Sequence, residues 1–287
     1  STLLPHQGAS TKTGMVAGLR VAVASALLLS AQAFYLPGVA PQDFARDDLV
    51  SFKVNSLSSA KTALPVEYYS LPLCNPDNVV SSAENLGEVL RGDRIYNSLY
   101  QIQMRLDEQC KVVCKGSSLS DSQSKSLKEK IDDEYRINMI LDNLPVAMVR
   151  MKEDNGEVIK TYERGFPIGF KATVEDGGEE KHFVHNHARF TILYHKDIET
   201  DLARIVGFEV EPASVKHTFQ TWDPVMPQLE TCNAEKHPLD GSGGFAQMVE
   251  EGEEIIFTYD VMFKMSDIKW ASRWDTYLQM TDDQIHW

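Results

Sequence analysis

Val184-His-Asn-His-Ala-Arg-Phe-Thr-Ile-Leu-Tyr194 is the stretch that decides the fold class. Its even positions carry Val184, Ala188, Phe190, Ile192 and Tyr194, with Asn186 as the one polar member. Its odd positions carry His185, His187, Arg189, Thr191 and Leu193, and His195 continues that row. Apolar character with a period of two marks a strand with one face on a core, because successive side chains leave a pleated backbone on opposite sides. The pattern recurs. Val206, Phe208 and Val210 share a face, as do Ile255, Phe257, Tyr259, Val261 and Phe263. Upstream, Tyr96, Ser98, Tyr100, Ile102, Met104 and Leu106 predict a half-buried strand, and Val66–Leu71 and Val146–Met151 predict shorter ones. Asp176-Gly-Gly-Glu179 reads as a turn between strands.

One helix interrupts this series. Ser120 is placed to cap it, with Gln123 three residues on. Leu127, Ile131, Tyr135 and Met139 step by four along one face, and Pro145 marks the end. Asn233–Glu254 is acidic and glycine-rich, which predicts a mobile loop. Strands separated by turns, with one helix, predict a mainly β chain: an antiparallel β-sandwich-like domain with at least one inserted helix, formally α+β.

The two ends predict a secretory-pathway product. Met15–Arg20 is a short basic start, Val21–Leu29 is apolar, and Ala31-Gln-Ala33 is a small-x-small cleavage pattern. Residues 15–33 therefore read as a signal peptide cut between Ala33 and Phe34, with 1–14 a leader outside the fold. Residues 34–265 read as a luminal or extracellular domain, and 266–287 as an aromatic juxtamembrane segment. In that segment Trp270, Trp274, Tyr277 and Trp287 suit a membrane–water interface, with Arg273 and Lys269 able to pair with phosphates or with Asp275. Rings spaced by four residues also suit a buried stripe on the domain itself. The chain carries 42 acidic and 28 basic side chains, a balance that repels nucleic acid and excludes it as a partner.

Four cysteines follow the predicted cleavage site: Cys74, Cys110, Cys114 and Cys232. An even number behind a signal peptide favours two disulfides over a metal site, and all three pairings are open. One of them joins Cys110 to Cys114 across a turn and Cys74 to Cys232 along the chain. His185 and His187 stand at i and i+2, so two imidazoles could reach one metal or ligand, with His182 near; Arg189 between the histidines opposes a cation. A polar sheet face without a ligand is the plainer reading, and imidazoles there could also sense luminal acidity. There is no Gly-x-Ser-x-Gly elbow and no His-Glu-x-x-His, so no catalytic residues, metal ligands or cofactor are assigned. Arg91-Gly-Asp93 matches an adhesion tripeptide too short to carry weight.

Five motifs converge on one family. They are Glu84-Asn-Leu-Gly-Glu-Val-Leu-Arg-Gly-Asp-Arg94, Asp142-Asn-Leu-Pro-Val-Ala147, Gly165-Phe-Pro-Ile-Gly-Phe170, Val184-His-Asn-His187 and Ser266-Asp-Ile-Lys-Trp-Ala-Ser-Arg-Trp-Asp-Thr-Tyr277. Together they resemble the transmembrane 9 superfamily, the nonaspanins, over nearly all of the chain after the signal peptide. The resemblance implies a luminal domain that precedes nine membrane helices. It implies Golgi or endosomal membranes, with some members reaching the cell surface, and a part in sorting other membrane proteins to their destinations. The implied partners are the nine-helix membrane domain, which would begin after Trp287, and membrane-protein cargo. The resemblance implies no enzyme activity. The alternative is a ligand- or metal-binding ectodomain that uses the His185/His187 face.

Overall fold

Two sheets face each other across one apolar core in the computed structural model, which describes residues 40–82, 94–154, 157–173 and 178–278. The larger sheet runs β5 (Glu108–Lys115), β15 (Ile256–Met265), β13 (His187–Lys196), β14 (Ala203–Ala213), β8 (Ala147–Asp154) and β9 (Glu157–Arg164). The smaller runs β10 (Phe166–Pro167), β6 (Arg136–Leu141), β2 (Phe52–Ser58) and β3 (Tyr96–Asn97), with β7 (Leu144–Pro145) also on β6. Two short pairs flank them, β1 (Leu49–Val50) with β4 (Ile102–Gln103), and β11 (Gly169–Thr173) with β12 (Glu180–Val184). The sandwich is mainly β, as the alternating pattern predicts. Most neighbours are antiparallel, but β13 pairs with β15, and β14 with β8, in parallel.

Aromatic rings join the layers. The Phe52 ring from the smaller sheet lies 5.2 Å from Phe190 and 5.6 Å from Phe208 of the larger, and stacks on Tyr100 at 4.9 Å. Such offset and edge-to-face contacts add to the area they bury. Val54, Leu57, Ile192, Val210 and Val261 complete the apolar interior.

The opening stretch is two elements. Val184 ends β12, His185 and Asn186 break the ladder, and β13 begins at His187. Ala188, Phe190 and Ile192 face the core as the period requires. Asn186, the polar member of that row, is buried at the break and fully used. Its Nδ2 donates to the carbonyls of Val215 and Ile256 at 2.8 Å each, and its Oδ1 accepts from the Val215 amide at 2.9 Å. A buried amide is tolerated only when paired in this way.

Other expectations are corrected. Tyr96–Leu106 is not one strand: β3 and β4 are separated because side chains hold the intervening backbone. The Tyr259 hydroxyl accepts from the Gln101 amide and donates to the Gln101 carbonyl, and Ser98 Oγ donates to the Phe52 carbonyl. Tyr68–Ser70 is a short 3-10 turn rather than part of a strand. The helix, α1 (Asp121–Asp132), has the expected Ser120–Gln123 capping box but ends before Tyr135, because Glu134 takes a positive φ of 55°. Met139 belongs to β6; the four-residue step runs on across the chain reversal and still points into the core. Asn233–Glu254 packs on the domain near its end, where Gln247 and Val249 are buried and Met248 bridges to Phe183. β11 and β12 form an antiparallel hairpin around the predicted Asp176–Glu179 turn. That turn lies partly, and residues 1–33, the Arg91–Asp93 tripeptide and Trp287 lie wholly, outside the described residues. Among the described residues, no helix is long and apolar enough to cross a membrane.

Candidate functional site

Two arrangements of polar side chains stand out against the apolar sandwich. The first lies on the edge of β14. Register with β8 covers Glu209 and Val210, and Phe44 bridges Ala203, which leaves the β14 backbone between them for another partner. That partner is the tail. Its short 3-10 turn (Trp270–Ser272) and α2 (Asp275–Leu278) bring Arg273 and Tyr277 to this edge. Arg273 Nη1 donates to the Ile205 carbonyl at 3.0 Å and to Asp142 Oδ2 at 2.7 Å. The Tyr277 hydroxyl accepts from the Phe208 amide at 3.3 Å, and burial drives its pKa well up, so it stays protonated. Arg273 is only 2% exposed and packs 4.6 Å from the Trp270 ring. The tail thus satisfies an open sheet edge that would otherwise invite pairing with another chain.

Asp142 is aimed by its own turn. Asp142 and Asn143 adopt φ of 46° and 63° between β6 and β7, the left-handed pair a two-residue hairpin needs. The Asp142–Ala147 and Ser266–Tyr277 motifs, 119 residues apart at their nearest ends, therefore meet in one buried ion pair. Asp142 and Arg273 are the two charges of that pair, and their attraction offsets a desolvation cost of several kcal/mol each.

The second arrangement lies on the outer face of the larger sheet. Parallel register sets His187 beside Thr258 and Arg189 beside Asp260. The arm after β14 folds over them and delivers His217, Thr231, Cys232 and His237. His217 bridges Thr231 and Thr258 at 2.9 Å each, and His187 Nδ1 meets Thr258 Oγ1 at 2.8 Å. Asp260 gathers three side chains: His237 Nε2 at 2.7 Å, the Arg189 guanidinium Nε at 3.1 Å and His187 Nε2 at 3.4 Å. The Cys110 amide donates to its other oxygen at 2.8 Å. Burial opposes ionisation of Asp260, yet the adjacent His187, the Cys110 amide and His237 hold its carboxyl well below the usual range. Burial also pushes His187 down, and takes His217 to about 3, so both are neutral. Cys110–Cys232 closes the floor of this centre, and Cys74–Cys114 ties the segment after β2 to β5.

Residues 65–287 match the family model for endomembrane protein 70. The chain is 54% identical over 254 residues to transmembrane 9 superfamily member 10 of Arabidopsis thaliana, covering 88% of this chain and 40% of that protein. It is 40% identical over 278 residues to transmembrane 9 superfamily member 4 of Homo sapiens, covering 91% of this chain and 41% of that protein. The chain belongs to the transmembrane 9 superfamily. It spans about two-fifths of the length of these relatives, which are membrane proteins.

In this superfamily chain the predicted site residues part company. Cys110 and Cys114 do not bridge: both lie on β5, and four extended residues span ~13 Å, far beyond disulfide reach. The pairs are Cys74–Cys114 and Cys110–Cys232. Arg273 does not pair with Asp275 or face solvent; it is buried against Asp142. Tyr277 is half-buried with its hydroxyl enclosed, Trp270 is partly covered, and Trp274 remains 42% exposed. His185 and His187 do not serve one ligand. His185 bonds the Pro167 carbonyl beside the Phe170 ring, whereas His187 faces Thr258 and Asp260. His182 meets Asp132, and His195 meets the Ser266 carbonyl. Reasoning from sequence missed Asp142, His217, His237 and Asp260. Asp142 carried a signal, as the first residue of a quoted motif; the other three meet through a strand register that no local pattern reveals.

Proposed function

We propose that this domain is the luminal, non-catalytic portion of a transmembrane 9 protein that helps sort other membrane proteins and deliver them to the cell surface. The observation that carries the reading is the match to superfamily relatives along nearly the whole chain. Two disulfides fit a compartment where thiols are oxidised, and the family description as an endomembrane protein fits the Golgi–endosome system. In this reading residues 15–33 direct entry and are removed after Ala33, and residues 34–265 face the lumen. The segment 266–287 leads to the nine-helix membrane domain. The clamp at Arg273 fixes how that segment leaves the sandwich, and Trp274 stays free for the lipid interface. Cargo is then met by the luminal surface and the membrane helices together.

Deleting the gene and labelling surface proteins tests the reading. Selected membrane proteins are expected to fall at the surface and accumulate internally, and the full-length gene is expected to restore them. A surface population unchanged by the deletion would overturn it.

A further inference from the structure

The floor of the second arrangement has a composition that the closed disulfide does not explain. Cys110 Sγ, Cys232 Sγ, a ring nitrogen of His237 and a carboxylate oxygen of Asp260 all lie within 4.8 Å of one another. Four separate backbone positions deliver them. Cys110 sits in a bulge of β5 opposite β15, with φ of 54°, and bulges re-aim side chains. Cys232 and His237 come from the arm, and Asp260 from β15. Beside them His187, 1% exposed, has an Nε2 without a hydrogen-bond partner, 3.4 Å from Asp260 Oδ2. A buried donor or acceptor left this way is costly, so it calls for a reason.

Charge supplies the next step. With the disulfide closed, the Asp260 carboxylate is balanced by the Arg189 guanidinium 3.1 Å away. Opened to two thiolates, the same centre holds two further negative charges in a largely buried place. Buried charge must be neutralised, and one divalent cation restores the balance. Two sulfurs, one imidazole and one carboxylate are the donor types of a tetrahedral zinc site. At Zn–S ~2.3 Å the sulfurs of a tetrahedral site stand about 3.8 Å apart, a separation open to the two cysteines once their bond is broken.

We propose that this centre is a redox-gated zinc site, in which Cys110, Cys232, His237 and Asp260 hold one Zn²⁺ once the disulfide between the two cysteines is reduced. The reductant is a dithiol, such as a Cys-x-x-Cys oxidoreductase. One of its thiolates attacks a sulfur of the Cys110–Cys232 bond, and its second thiol closes the reductant's own disulfide. Two electrons and two protons pass to Cys110 and Cys232, and zinc binding then releases both thiol protons to solvent. His187 stands next to Asp260 as the outer partner that orients the carboxylate. When the metal takes His237 Nε2, Nδ1 carries the ring proton, so His237 gives up the bond it accepts from the Leu239 amide.

Cobalt(II) is the probe, because cysteine thiolates give it an intense near-ultraviolet charge-transfer band. The full chain is reduced with dithiothreitol, freed of reductant without air, and titrated with Co²⁺ and then Zn²⁺. One Co²⁺ per reduced chain is expected with a thiolate band, displaced by Zn²⁺, and no band is expected in the oxidised chain. A Cys74→Ala/Cys114→Ala variant should keep the band, and a Cys110→Ala/Cys232→Ala variant should lose it. His237→Ala and Asp260→Asn should each weaken binding about tenfold or more. Thermal unfolding of the reduced chain with and without Zn²⁺ covers the case in which reduction loosens the fold, since the metal should then restore it. A reduced chain with no thiolate band, a band that survives loss of Cys110 and Cys232, or a reduced chain left unfolded by Zn²⁺ would each overturn the site.

Discussion

Arg273 is a guanidinium at 2% exposure, held by hydrogen bonds to Asp142 and the Ile205 carbonyl and by the Trp270 ring. Removing one member of such a pair leaves the other charge buried and alone, which costs about 3–5 kcal/mol. Arg273→Ala is therefore expected to lower stability by that amount in urea denaturation. Arg273→Met with Asp142→Asn should recover much of the loss, since Asn keeps the left-handed turn. His217 sets a pH dependence. Burial, then the neighbouring His187, keeps it neutral down to about 3, whereas the unfolded chain takes up a proton near 6.5. Its contribution is whole above pH 6.5 and is lost as pH falls toward 3. By pH 5 the loss is about 2 kcal/mol. His185 and His187 are displaced in the same direction by burial, so they steepen the trend. Melting temperatures measured from pH 7.5 to 5 should fall, and His217→Gln, which can still bond Thr231 and Thr258, should flatten the curve without abolishing it.

At the scale of elements, the junction of β9 and β10 shows why a glycine was needed. Gly165 has φ +65°, and an added Cβ would lie 2.6 Å from the Ile137 carbonyl of β6. Gly252 also has a positive φ, +85°, but nothing within 4 Å. Gly252→Ala should cost only the left-handed backbone term, about 1–2 kcal/mol. Gly165→Ala adds a backbone clash and is expected to cost clearly more, read as the difference between the two midpoints in urea. The edge of β14 makes the second element-scale point. The tail, not another strand, covers Ile205 and Phe208, so hydrogen exchange at the Phe208 amide is expected to quicken in Tyr277→Phe. An unchanged rate would mean that the tyrosine hydroxyl is not the group that protects that amide.

Across the whole molecule, the two disulfides close loops of very different length. Cys74–Cys114 spans 40 residues and Cys110–Cys232 spans 122. By loop entropy the longer is worth about 1 kcal/mol more. Replacing each pair by alanine and comparing denaturation midpoints should show that order. The period-two rows at Ala188–Ile192, Val206–Val210 and Phe257–Val261 were readable because a half-buried strand must alternate, whatever its neighbours are. The capping box at Ser120 was readable because it closes within four residues. The five motifs carried the family resemblance, since each is a linear string readable without the fold. The alternation at Tyr96–Leu106 does not make one strand because Tyr259, more than 150 residues away, bonds both backbone groups of Gln101. The cysteine pairing, the Arg273–Asp142 pair and the His187–His237–Asp260 centre were not legible at all. Sequence alone determined which faces are apolar and to which family the chain belongs, because burial pattern and motif are local properties of the chain. Only the tertiary structure decided which distant polar groups meet, because that follows from strand register and crossover, and a buried charge is bearable only beside its partner.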